Sequence, residues 1–303
     1  MTLALRGYIP LPPHAAGGFD HGDVHASTGR VFVAHTANGT VEVIDGERLE
    51  LDRTVPGCPE GSGILCTQGD DALVFAAARG AGKVLVLDAV TCHVRNEIAV
   101  GPKPNGLAWD SGRRQLLVAD VDDFQARLMD PDTGTTLAST LLPGRPRWCV
   151  FDAARDRFLV NVREPACVMA LAGGSALTSA QIAVSAPGPH GLDLDPGAER
   201  AFVACDAGRL VVVDLTRDQE IASVPIRVEP DAIWFNARRQ RLYVAIGQAG
   251  GVDVVDCQRM TIDERMTTED AAHTTAFDAR RQLLYVFLPG SCRAAVYQET
   301  NDG

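Results

Sequence analysis

Arg147, His190, Asp231 and His273 stand about 42 residues apart in a 303-residue chain, and Asp20, Ser62 and Asn105 continue the series toward the N-terminus. His21 adjoins the first of these positions. A fixed interval that delivers imidazoles, carboxylates and a guanidinium calls for a structure repeating with the same period, in which equivalent positions face one another. Neutral imidazoles with a carboxylate suit Zn²⁺, Fe²⁺ or Mn²⁺. A fixed guanidinium can hold a carboxylate through two parallel hydrogen bonds. In this reading His21, His190, Asp231 and His273 hold one divalent transition metal (Zn, Mn or Fe). His190, His273 and Asp231 carry the catalysis, and Arg147, Trp148, Asn105, His35 and Asp206 bind substrate. Two other readings stay open: a hydrogen-bonded polar ring that pins neighbouring units together, and acid–base use of the histidines without a metal.

The elements that must position these residues follow from the repeat. An Asp ends an apolar run at VEVID (Asp45), VLVLD (Asp88), ARLMD (Asp130), LVVVD (Asp214) and VDVVD (Asp256). A second marker closes another run at NGLAWD (Asp110), WCVFD (Asp152), HGLDLD (Asp195), AIWFN (Asn236) and TTAFD (Asp278), with Thr67 and His25 in the same place earlier. Between the markers lie β-rich runs such as RVFVAH, QLLVAD and RLYVAI, and the units are joined by Gly/Pro turns. Each unit reads as four short strands, a to d. The chain is therefore expected to be all-β: a seven-bladed β-propeller of four-stranded antiparallel blades forming one domain over 1–303. The blades are expected at 18–57, 58–101, 102–144, 145–188, 189–229, 230–271 and 272–298. The last lacks its strand d, and residues 4–11 are expected to supply it and close the ring, which leaves no open edge.

In such a ring the turns before strand a and between strands b and c surround one mouth of the central channel, where ligands commonly sit. The b–c turns bring His35, Arg79, Asp120, Asp122, Asp123, Arg163, Asp206 and Gln248 to this face. Trp148 occupies a position that holds Gly63, Gly106, Gly191, Ala232 and Thr274 in other units, so it reads either as a stacking platform or as a plug. Trp109 and Trp234 read as core. His21 and His25 lie on one strand and are not expected to share a site. GAGKV (80–84) reads as a hairpin, and Cys205 as a buried thiol. The 8 cysteines include no C-x-x-C pair, and no disulfide framework is expected.

The stretch PHGLDLDPGAERAFVACDAGRLVVVDLTRDQEIASVPI (189–226), repeated in RLYVAIGQAGGVDVVD (241–256), resembles the YVTN-repeat, YncE-like propeller family. The fourth unit departs most, because VMALAGG lacks the closing Asp. The resemblance implies the fold strongly and the function weakly. It allows a small, anionic molecule bound at the channel mouth, with metal-dependent lactonase-type hydrolysis or isomerisation suggested by related propellers. The alternative is a non-catalytic ligand-binding or protein-interaction propeller. Single-stranded DNA, which the resemblance also suggests, fits poorly with a net charge of −11, because phosphate backbones are bound by Lys and Arg. A small molecule is the expected partner, with no nucleic acid and no membrane. No signal-peptide pattern opens the sequence, and a cytoplasmic monomer is expected.

Overall fold

A computed structural model describes residues 2–69, 71–174 and 177–300. Both sequence markers turn out to be turn caps. Asp45 Oδ1 accepts the backbone N–H groups of Glu47 and Arg48 at 2.9 and 3.0 Å. Asp88, Asp130, Asp214 and Asp256 repeat this at their own c–d turns. Asp110 and Asp278 do the same at a–b turns. The fourth residue after each cap has positive φ: Leu49, Cys92, Gly134, Arg114 and Gln282 among them. A left-handed non-Gly residue costs about 1–2 kcal/mol, and two cap hydrogen bonds of about 1 kcal/mol each offset it. The Asp is the residue that makes each tight turn affordable.

The strands assemble into seven four-stranded antiparallel sheets, each of four consecutive strands except the last. That sheet joins Thr275–Asp278, Leu283–Leu288 and Arg293–Thr300 to the N-terminal strand Thr2–Pro10, which pairs with Arg293–Thr300 from Thr2↔Thr300 to Pro10↔Arg293. The protein is a seven-bladed propeller closed by its N-terminal strand. Strand a is innermost in every blade: Gly22–His25, Gly61–Cys66, Pro104–Asp110, Pro146–Asp152, Pro189–Asp195, Pro230–Asn236 and Thr275–Asp278. The core is divided between the blades, and each of the seven blade–blade seams holds one buried apolar cluster. Phe32, Val43 and Ile64, for example, join blades one and two. All eight cysteines are free, as expected. GAGKV forms a short 3₁₀ turn, Arg79–Ala81, entering the strand Lys83–Asp88. No helix among the described residues is long and apolar enough to cross a membrane.

The small residues four positions before each strand-a marker have a packing role. A Cβ on Gly63, Gly106 or Gly191 would lie 2.1, 2.2 and 2.2 Å from the carbonyl oxygens of Asn105, Arg147 and Asp231 in the next blade. The inner strands approach closest here, and only a missing side chain permits it. Gly106→Val is therefore expected to lower stability by about 1–3 kcal/mol or more through overpacking. Gly7→Ala, where an added Cβ meets nothing within 4 Å, is the control. Equal thermal midpoints for the two variants would show that the inner strands do not pack at this position.

Candidate functional site

The ring brings the periodic polar residues together at one mouth. His190 Nδ1 donates to Asp206 Oδ1 at 2.9 Å, and its Nε2 lies 3.3 Å from Asp231 Oδ1. Arg163 Nε lies 2.7 Å from Asp206 Oδ2. His273 Nε2 donates to the backbone oxygen of Phe19 at 3.0 Å. Against the upward pull of burial, His190, His273, His21 and Arg147 hold the Asp231 carboxyl below its ordinary value. The three histidines of the proposed metal set, from blades five, seven and one, thus act on the Asp231 carboxylate of blade six, with His190 at ion-pair distance. His273 is bonded instead to the Phe19 backbone, and His21 Nε2 lies 3.4 Å from Asp20 Oδ1. Among the described residues no three His, Cys, Asp or Glu side chains lie in the geometry of a metal site. Arg147 and Arg163 line a cavity of about 240 Å³ together with His190, Asp206, Asp231, Gln248 and His273.

His21 and Trp148 share the small-residue position described above and are its two large exceptions. Their rings stack across the channel with centroids 4.1 Å apart and planes 25° apart. Trp148 also meets Trp234 edge-on, at 6.2 Å and 86°. The stack forms a floor beneath the mouth. Burial holds the His21 pKa below the ordinary value, with His190 and Arg79 acting in the same direction against Asp20 and Asp231. Asp20 itself is bonded by Arg79 Nη2 at 2.9 Å.

Two expected substrate-binding residues lie elsewhere. His35 is fully buried, donating from Nδ1 to Glu42 Oε1 at 2.9 Å, and its Nε2 lies 2.8 Å from His14 Nδ1. Phe19 covers it, with ring centroids 4.5 Å apart. The segment entering blade one folds over that b–c turn, a contact the repeat pattern could not show. Asn105 is 3% exposed and sits at the seam where its carbonyl faces Gly63. Cys205 is buried, and burial pushes its thiol up to about 12, which removes it as a nucleophile. Asp123 is ion-paired to Arg127.

No protein-family model matches the chain. The protein described as "Uncharacterized protein YncE" from Salmonella typhimurium is 24% identical over 276 residues, covering 87% of this chain and 67% of that protein. The corresponding protein of Salmonella typhi matches at the same identity and coverage. The chain is similar to YncE. Among solved structures, hydrazine synthase of Kuenenia stuttgartiensis superposes with a TM-score of 0.83 over 96% of this chain and 98% of that one, at 13% identity, which shows the fold alone.

Below the His21–Trp148 floor, this YncE-like propeller holds a chamber of about 440 Å³ that repeat reasoning missed. Its walls are largely apolar, including Leu65, Leu107, Val150 and Ile233, and it reaches the exposed Gln68, Ser111 and Ala153. Two carboxylates, Asp23 and Asp193, line it from blades one and five. Asp23 accepts the N–H of Val24 at 2.7 Å and that of Cys66 in the next blade at 2.7 Å. Asp193 accepts Leu194 N–H at 2.7 Å and Phe235 N–H, again in the next blade, at 2.6 Å. Each carboxylate clips its blade to its neighbour. Burial nevertheless pushes each up to about 7, outweighing these hydrogen bonds. A sequence signal existed: two positions before the marker, the other blades carry Leu65, Ala108, Val150, Trp234 and Ala276. An Asp in that place breaks an apolar pattern twice.

Proposed function

We propose that the upper mouth binds a small anion, a carboxylate or a phosphate ester, with Arg147 as its counter-charge. One observation carries the reading. Arg79 and Arg163 are matched by Asp20 and Asp206, whereas the half-buried Arg147 guanidinium makes no hydrogen bond or ion pair with the described residues, and its buried Nε has no partner. Burial, with Arg145 and Arg163 nearby, lowers its pKa. Asp231 and Asp206 offset this charge only from a distance, and an anion in the 240 Å³ cavity would bond it directly. His190, oriented by two carboxylates, stands beside that cavity as a hydrogen-bond donor to ligand or as a proton carrier.

The test is calorimetric titration with citrate and with inorganic phosphate. At least one is expected to bind, and Arg147→Ala is expected to weaken it by about tenfold or more, equivalent to about 1.4 kcal/mol. Binding of neither, or equal binding by the variant, removes the reading.

The convergence of His21, His190 and His273 on Asp231 favours a second reading, a metal-dependent lactonase-type hydrolase or isomerase. His190 would first have to release a carboxylate, because both its ring nitrogens face one. Metal content of protein purified without an affinity tag decides this: one equivalent of Zn, Mn or Fe that is lost in His190→Ala/His273→Ala supports it, and absence of metal sinks it. We place the protein in the cytoplasm as a monomer without nucleic-acid or membrane partners, supported by its negative charge and eight free cysteines, seven of them buried.

A further inference from the structure

We propose that the chamber below the His21–Trp148 floor is a second ligand site, selective for a small organic ammonium ion with an apolar body. It faces the opposite end of the channel and does not depend on the anion reading. Three independent features converge. The volume, about 440 Å³, suits a small molecule. Every charged side chain lining it is acidic: Asp23 and Asp193 are present, and no Lys or Arg of the described residues lines it. All 3 tryptophans of the chain, Trp109, Trp148 and Trp234, line this one space. Aromatic faces attract ammonium groups, more strongly where water is excluded. An apolar neutral ligand would gain from the walls alone and leave the carboxylates unused. An anion would meet two acidic groups and no counter-charge.

The carboxylates keep capacity for a ligand. Each oxygen takes one backbone N–H, and a carboxylate oxygen has a second acceptor position. The titratable groups around them are few. Asp193 acts on Asp23, and Asp195 lies behind Asp193. His21 stands above, held toward its neutral form by burial. Burial pushes the Cys66 and Cys257 thiols up, so both stay neutral. With both carboxyls near 7 in the free protein, ammonium binding should draw them to the ionised form and release protons near neutral pH.

The experiment uses three probes of one shape on the unmodified full chain: benzylammonium, benzyl alcohol and phenylacetate. Tryptophan fluorescence reports on the chamber, because every tryptophan lines it. At pH 7.5 benzylammonium is expected to bind at least about tenfold tighter than benzyl alcohol, equivalent to about 1.4 kcal/mol, and phenylacetate is expected not to bind. The advantage of the amine should shrink at pH 5, where the carboxyls are protonated. Asp193→Asn should lower amine affinity severalfold with little effect on the alcohol. Should the Asp193 variant fail to fold, the three-probe comparison still decides. Equal affinity for amine and alcohol, tighter binding of phenylacetate, or no binding of benzylammonium would overturn the proposal.

Discussion

Deleting the first 11 residues lowers the thermal midpoint by about 10 °C or more. These residues form the outer strand of blade seven, although that blade's other three strands lie at the far end of the sequence. Ile9 is 1% exposed, Leu11 lies in the seam between blades seven and one, and Leu3 packs in the seam between six and seven. Exposing three such side chains costs roughly 1.5–3 kcal/mol each. Backbone bonds are lost as well: Leu11 N–H donates to Cys292 oxygen at 2.9 Å, and Leu3 N–H to Glu264 Oε2 in blade six at 3.0 Å. In a large domain each kcal/mol shifts the midpoint by about 2–4 °C, so the sum exceeds 10 °C. The truncated protein also presents the strand Arg293–Thr300 as an open edge, and it should aggregate on heating. A truncated chain melting with the intact one would show that the ring holds without its closing strand.

The same strand shows why the architecture was legible in the sequence. A blade needs a turn chemistry that repeats, and in this chain the turn chemistry is an Asp cap whose position cannot drift without losing two hydrogen bonds. The period therefore survives in the sequence even where the strands themselves vary. The missing strand d after Tyr297 and the strand-like stretch near Tyr8 were then complementary pieces.

The mouth was legible to the extent that it obeys the period. His190, Asp231 and His273 are equivalent positions in consecutive blades, and both histidines act on the Asp231 carboxylate. What the period could not supply is contact across the channel and departures from the average blade. The His21–Trp148 stack joins two exceptions in a position otherwise small. His35 was lost from the mouth because Phe19 and His14 fold over one blade only. The clips made by Asp23 and Asp193 were visible as carboxylates in an apolar pattern, at a position the histidine series does not include.

The second large effect is a pH-dependent difference between the native chain and Asp193→Asn. Burial raises the Asp193 carboxyl from 3.8 to about 7 in the folded chain. The folded protein then keeps a proton at pH values where the unfolded chain has lost it. Stability from this group is full below about pH 4 and falls as pH rises to about 7, at roughly 1.4 kcal/mol per unit. Asp193 is partly open to the chamber, so the total is on the order of 2–4 kcal/mol. Asparagine removes the titration and also places an N–H₂ group where one oxygen accepts a backbone N–H, so the variant starts weaker at pH 4. Its deficit should then shrink steadily toward pH 7. His21 and His14, whose lowered pKa values act in the opposite sense below pH 6.5, are common to both chains and cancel in the difference. Denaturant unfolding at pH 4.5, 5.5, 6.5 and 7.5 measures it. A difference that stays flat with pH would mean that Asp193 is ionised throughout, held by its two backbone donors rather than governed by the apolar chamber.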